Sequence, residues 1–209
     1  LKWKTTGASQ IVSAPTIDGK RAFVGDIGGL FLAYSLTDGK KLWEFRTGNK
    51  IVAKAAIGGN YVLVSGMDDH LYALSGKRGI VSWRKLLGSI PGGMTVIEGL
   101  TTDPNSRPRS LLYAALTKKE VSVLLCANSR SGATMWTTPL PTTVQGEPAV
   151  AEGRVYVGGT DGKIYCFNAD DGTRLWSMNT GSEIRGGPAA TGTAVFVANY
   201  HGSLYRIED

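Results

Sequence analysis

Five tryptophans stand at one register of a repeat: Trp3, Trp43, Trp83, Trp136 and Trp176, at intervals of 40, 40, 53 and 40 residues. A fixed period of this length marks one supersecondary unit copied along the chain. Each copy carries further marks. An apolar residue stands four positions before a Pro, Ala or Met, as in Ile11/Pro15, Val52/Ala56, Ile90/Met94, Val144/Pro148 and Ile184/Pro188. A strand-like run follows, such as Arg21-Ala22-Phe23-Val24-Gly25 or Arg154-Val155-Tyr156-Val157-Gly158, and then a second, Leu30-Phe31-Leu32-Ala33 or Ile164-Tyr165-Cys166-Phe167. Asp18-Gly19, Asp38-Gly39, Gly58-Gly59-Asn60 and Asp171-Gly172 supply the turns between them. Four short strands per repeat of about 40 residues are the unit of a β-propeller.

The chain therefore reads as a single all-β domain over 1–209, a propeller of five four-stranded blades. The blades fall at 6–46, 47–87, 88–140, 141–180, and 181–209 with 1–5. The extra residues of the third unit, around 101–108, are rich in Pro, Asn and Ser and read as an outward loop. The last unit lacks its Trp strand, whereas the chain opens on an unattached one, Leu1 to Thr5. Pairing the first strand with the C-terminal blade is expected to close the ring and remove its open edges. A five-unit arc of a larger ring is the alternative.

From the third strand to the Trp runs a small residue, a Gly six positions on and a Trp four later. The copies are Ala33/Gly39/Trp43, Ala73/Gly79/Trp83, Cys126/Gly132/Trp136 and Cys166/Gly172/Trp176. The pattern resembles the tryptophan-docking motif of the PQQ-like propellers, which include quinoprotein dehydrogenases, BamB-type outer-membrane assembly lipoproteins, and sensor and scaffold domains. It implies that Trp3, Trp43, Trp83, Trp136 and Trp176 are structural, each docking one blade against its neighbour. Burying a large aromatic at such a junction contributes on the order of a few kcal/mol. Cys126 and Cys166 then fill the small position as buried, inert thiols.

The resemblance carries little catalytic machinery. Pyrroloquinoline quinone (PQQ) enzymes of this family have eight blades, a Ca²⁺ held by acidic and amide groups, a catalytic Asp and, in many cases, a disulfide between adjacent cysteines. This chain has five repeats and no Cys-Cys pair. Phosphate loops, Gly-x-Ser-x-Gly elbows and Cys-x-x-Cys or His-Glu-x-x-His spacings are also missing. No cofactor and no metal site are expected; PQQ with Ca²⁺ belongs only to the alternative of a quinoprotein dehydrogenase or a fragment of one. In that reading Glu147 and Glu183 would hold Ca²⁺, with Arg185 or Lys54 against the quinone.

The net charge of +6 is spread over isolated pairs such as Lys40-Lys41 and Lys77-Arg78, a solvated basic surface rather than a nucleic-acid stripe. No run is long and apolar enough to span a bilayer. No secretory leader is visible at the start of the chain, and an extracytoplasmic location follows only from the resemblance. Any ligand is expected at the funnel face, built from the loops between blades and the turns between second and third strands. Its candidate residues are Lys50, Lys54, Asp68, His70, Gln145, Glu147, Asp161, Glu183, Arg185 and His201. His70 and His201 fall in equivalent turns there. The favoured function is a non-catalytic binding or scaffolding module for a protein partner, or for a small polar ligand. The loop 97–110, with Arg107 and Arg109, is a candidate for a further partner contact, an ordinary surface loop being the favoured reading. A ligand-sensing domain of a larger membrane-linked protein is the remaining alternative.

Overall fold

Alternating apolar residues bounded by Asp-Gly and Gly-Gly turns leave the chain little choice but short antiparallel strands. A computed structural model describes residues 1–100, 109–118, 121–192 and 194–208, and they form five antiparallel sheets and no helix. The first sheet holds β1 (Thr16–Ile17), β2 (Arg21–Gly25), β3 (Leu30–Ser35) and β4 (Lys41–Arg46). The second holds β5 (Ala56–Gly58), β6 (Tyr61–Ser65), β7 (His70–Ser75) and β8 (Val81–Leu86). The third, with the longest strands, holds β9 (Met94–Leu100), β10 (Arg109–Lys118), β11 (Val121–Asn128) and β12 (Thr134–Leu140). The fourth holds β13 (Ala149–Ala151), β14 (Arg154–Gly158), β15 (Lys163–Asn168) and β16 (Arg174–Asn179). The last holds only β17 (Ala189–Ala190), β18 (Ala194–Ala198) and β19 (Leu204–Glu208). Each sheet is a meander in which neighbours in sequence pair. The loop expected around 101–108 lies outside the described residues.

The core lies between sheets. Phe23 and Phe31 of the first unit pack with Ile51, Val62, Val64 and Leu74 of the second. Tyr156, Ile164 and Cys166 of the fourth pack with Ile184, Val195 and Val197 of the fifth. The docking motif explains how these layers lock. In its own sheet each Trp pairs across the strand with the small residue: Ala33 with Trp43, Ala73 with Trp83, Cys126 with Trp136 and Cys166 with Trp176. The ring then lies over the turn glycine of the next unit. Trp43 meets Gly79, Trp83 meets Gly132, and Trp136 meets Gly172. These glycines have φ of +68°, +69° and +73°, a left-handed conformation that also clears the indole. Indole Nε1 donates to a carbonyl just before that glycine, from Trp43 to Gly76 (2.9 Å), Trp83 to Ser129 (3.2 Å) and Trp136 to Ala169 (3.0 Å). Cys126 and Cys166 are buried and in no disulfide, and burial pushes the Cys126 thiol up to about 11, as an inert packing group requires.

Two expectations need correction. In the second unit the buried opening residue is Ile51, not Val52: Ile51 is fully buried and its amide bonds the Asp26 carbonyl, as Ile184 bonds Gly159. The marker pair there is thus Ile51/Ala55. The pairing expected between Leu1–Thr5 and the C-terminal blade is also not formed among the described residues. Trp3 is seated on the first unit, over Gly39 with Nε1 donating to Leu36 O at 3.0 Å, while residues 1–5 make no strand and β19 ends a three-stranded sheet. Arg206 holds the position that Ala33, Ala73, Cys126 and Cys166 hold elsewhere, so the last sheet lacks the small seat opposite a Trp.

Candidate functional site

The innermost strands surround a cavity of about 350 Å³ to which all five units contribute, among them Thr16, Lys54, Thr95, Glu147 and Pro188. Its hydroxyls are committed to the frame. Thr16 Oγ1 donates to Ala55 O at 2.7 Å, and Thr95 Oγ1 donates to Pro148 O, each tying one unit to the next. The charge inside is an ion pair across the third unit, Lys54 Nζ to Glu147 Oε1 at 3.3 Å. Both side chains are partly exposed, so the pair is worth at most about 1 kcal/mol to the fold and can exchange for a ligand's charges. Of the other candidates near this opening, Gln145 and Lys50 are exposed, and the Lys50 carbonyl accepts from Met67 N.

The turns between second and third strands are held by their own acids. The Asp68 carboxylate accepts from Gly48 N (2.6 Å), His70 N (3.2 Å) and Tyr72 Oη (2.6 Å). Asp161 accepts from Lys163 N and Tyr165 Oη in the same way. His70 Nδ1 lies 2.9 Å from Asp68 O, inside its own turn. The two histidines do fall in equivalent turns, but at different positions: His201 shares a turn position with Asp68 and Asp161, whereas His70 aligns with Lys163 and Ser203. The turns therefore do not present two histidines at one level. Among the described residues no three His, Cys, Asp or Glu are placed to hold a metal ion.

Burial would raise the Asp68 carboxyl, but the bonds from Tyr72, Gly48 and His70 outweigh it and hold the group below its ordinary value. The Tyr72 hydroxyl is pushed up to about 12, by burial first and by Asp68 second. A lowered carboxyl stabilises the fold above its unfolded pKa and loses that contribution as pH falls through the folded value. A raised phenol stabilises below its unfolded pKa and loses its contribution as pH climbs from about 10 to about 12. Tyr72→Phe is expected to cost about 1.5–3 kcal/mol at pH 7, since it removes a hydrogen bond to a charged group. In denaturant melts from pH 7 to pH 2 the gap between the two proteins should narrow as Asp68 becomes protonated. A constant gap would show that Tyr72 acts by packing alone.

The fifth unit carries an exposed cluster. Glu183 and Arg185 form an ion pair (2.8 Å), and the Arg185 guanidinium stacks 4.3 Å from the centroid of the Tyr200 ring. Tyr200 N donates to Glu183 O, which fixes the ring beside the pair, and His201 is exposed in the same turn. Tyr200 was not foreseen. The available signal was a large aromatic in a turn position that Ile27, Met67 and Thr160 fill elsewhere. Arg109 is exposed at the start of β10, and Arg107 lies outside the described residues.

The family described as outer membrane protein assembly factor BamB matches residues 1–124 and 119–209. The chain belongs to the BamB-type PQQ-like family. Among solved structures this family member is similar to BamB from Moraxella catarrhalis, at 19% identity and TM-score 0.58, covering 99% of this chain and 79% of that one. It is also similar to a quinohemoprotein alcohol dehydrogenase from Pseudomonas putida, at 15% identity and TM-score 0.74 over 99% of this chain. A quinohemoprotein alcohol dehydrogenase from Comamonas testosteroni matches at 12% identity and TM-score 0.73 over 96% of this chain. The chain spans only 41% of each dehydrogenase. No curated protein matches the sequence. At these identities the structural likeness establishes the propeller-type fold.

The quinoprotein relatives raise PQQ and Ca²⁺, and the residues at the axis do not fit them. Ca²⁺ takes six to eight oxygen ligands. The cavity's lining carries a single carboxylate, Glu147, and the Lys54 ammonium 3.3 Å from it disfavours a second cation beside that group. Glu183, the second acid of that reading, is bound to Arg185.

Proposed function

We propose that this BamB-type chain is a binding module that holds a protein partner at the rim of its fifth unit, with the axial Lys54–Glu147 pair as an accessory polar contact. The observation that carries this reading is the Arg185–Tyr200 stack, with the guanidinium 4.3 Å from an open aromatic ring. Tyr and Arg are the residue types that dominate binding energy at interfaces, because each offers a large rigid surface with a polar end. The turn acids, by contrast, are consumed in holding the frame. By likeness to an outer membrane protein assembly factor, the partner is a protein of that assembly process.

A photoreactive phenylalanine analogue at position 200 should trap one discrete protein adduct in cells, whereas the same group at Ile80, exposed on the outer side of the second unit, should not. Equal trapping at both positions, or none at either, would refute the rim site. Calorimetric titration with PQQ and Ca²⁺ separates the enzymatic reading: no saturable heat is expected. Stoichiometric binding with alcohol-dependent dye reduction would make the chain part of a quinoprotein enzyme.

A further inference from the structure

The turn that joins the third strand of a unit to its Trp strand has one geometry throughout. A glycine amide closes it onto the carbonyl that ends the third strand: Gly39 onto Ser35 (2.9 Å), Gly79 onto Ser75 (2.7 Å), Gly132 onto Asn128 (2.8 Å) and Gly172 onto Asn168 (2.9 Å). The two residues before that glycine change charge from unit to unit. They are Thr37-Asp38, Lys77-Arg78, Arg130-Ser131 and Asp170-Asp171. A constant backbone with a changing charge marks a property of the surface rather than a requirement of the fold.

Lys77 shares a cleft with a second lysine. Between the first and second units, at this end of the strands, the cleft measures about 860 Å³, the size of a site for a small organic ligand. Lys20, Arg21, Ser35 and Thr37 of the first unit and Asn60 and Lys77 of the second line it. Main-chain bonds fix both walls, from Leu36 N to Lys20 O at 3.0 Å and from Gly76 N to Asn60 O at 2.9 Å. Trp43 Nε1, donating to Gly76 O, ties one wall to the other. Arg21 is committed, its guanidinium paired with Asp18 at 2.5 Å. Among the described residues neither Lys20 nor Lys77 has an ion pair. Two uncompensated ammonium groups in one cleft repel each other, a cost that a bound anion removes. The cleft lies between two complete four-stranded sheets, so its composition does not depend on either end of the chain.

We propose that this cleft binds a soluble, multiply charged phosphate compound. A lysine ammonium is a compact point charge that meets a phosphate oxygen in any orientation. Ser35, Thr37 and Asn60 supply neutral donors beside it, and Ser35 Oγ, which accepts from Thr37 N, keeps its own hydrogen to donate. A carboxylate ligand is best met by an arginine fork, and the one arginine of the lining already holds Asp18. Of the lining residues only Leu42 is apolar, so the cleft selects a polar ligand and gives a bilayer no surface for insertion. The site is independent of the rim of the fifth unit, since Tyr200 lies in a turn at the opposite end of the strands.

Calorimetric titration of the whole chain with tripolyphosphate at constant ionic strength tests the site. Saturable one-to-one binding is expected, weakened at least about tenfold by Lys20→Gln and by Lys77→Gln, since each removes a charge-assisted hydrogen bond. Both positions are exposed, and circular dichroism should show both variants folded. Lys163→Gln, at an exposed lysine at the other end of the strands, should bind as the parent does. Citrate, a carboxylate polyanion, should bind at least about tenfold more weakly than tripolyphosphate. The absence of saturable heat would overturn the proposal. So would an equal loss in all three variants, or citrate binding as tightly as tripolyphosphate, either of which would show unspecific attraction to a basic surface. Capture of the chain by phosphatidylglycerol vesicles that is lost in Lys20→Gln and Lys77→Gln would overturn the soluble ligand and assign the cleft to a membrane surface instead.

Discussion

Gly79→Ala should lower the stability of the fold by about 2–5 kcal/mol, a fall in Tm of roughly 5–15 °C for a chain of this size. Two separate costs add. Gly79 has φ +68°, where an L side chain costs about 1–2 kcal/mol. An alanine Cβ would also lie 2.5 Å from Trp43 Cε3 and 2.6 Å from Cδ2, and overpacking of that kind costs about 1–3 kcal/mol. The indole cannot step aside. It packs against both Phe23 and Phe31 in tilted contacts, with centroids 5.6 and 6.0 Å away, and its Nε1 is tied to Gly76 O. Gly19→Ala is the control, because φ there is +88° and nothing stands within 4 Å of the added carbon. It should show the backbone cost alone. Thermal melts of the two variants that coincide would mean that Trp43 is not held against the second unit, and the docking account of the junctions would fail.

The docking motif was legible in the sequence because it is local and repeated. Ala33, Gly39 and Trp43 lie within eleven positions, and the same triplet recurs three times. Periodicity thus points to the strands and the turns, and the resemblance to the docking motif implies the buried role of the cysteines. The choice of Val52 over Ile51 failed for a related reason. Adjacent β-branched residues at 51 and 52 fit the apolar pattern equally well, and only the amide bond to Asp26 O selects one of them. The closing strand failed differently. Trp3 meets every local requirement and is seated on Gly39, yet residues 1–5 form no strand beside β19, where position 206 carries Arg while its counterparts carry Ala or Cys. That departure was visible 40 residues after Cys166, but its consequence depends on two ends of the chain meeting in space.

The candidate site was half legible. Lys54 and Glu147 were both placed near the mouth, yet a pair 93 positions apart in sequence is joined only by the curvature of the array. The sequence places Asp68 and Asp161 at the rim but does not show that their own turns bind the carboxylates. A polar residue in a turn serves the turn first when a backbone amide and a tyrosine hydroxyl are within reach, as Gly48 and Tyr72 are for Asp68. Tyr200 escaped notice because it interrupts no motif. Its value comes from Arg185 lying above it, a contact between two loops that no spacing rule encodes.

The second large effect is expected where the inner loops interlock. Gly92 backs onto the carbonyls of Gln145 and Gly146, and Gly146 in turn backs onto the main chain of Gly186 and Gly187. A Cβ on Gly146 would overlap Gly187 N and the Gly186 carbonyl carbon, with the Gly186 oxygen 2.6 Å away. Every clashing atom belongs to the backbone, so no rotamer change can relieve it, and the loops of the fourth and fifth units must separate. Gly146→Ala should therefore cost at least about 3 kcal/mol, at the upper end for a single added methyl. Gly186→Ala, in the matching loop one unit on, meets nothing within 4 Å and should fall within about 0.5 kcal/mol of the parent. The separation should also be visible at the axis. Glu147 follows Gly146 directly, so its ion pair with Lys54 should break, and Lys54 should react faster with an amine-modifying reagent in Gly146→Ala than in Gly186→Ala. Equal stability and equal Lys54 reactivity in the two variants would mean that the inner loops do not interlock, and that the axial cavity is held open by the sheets alone.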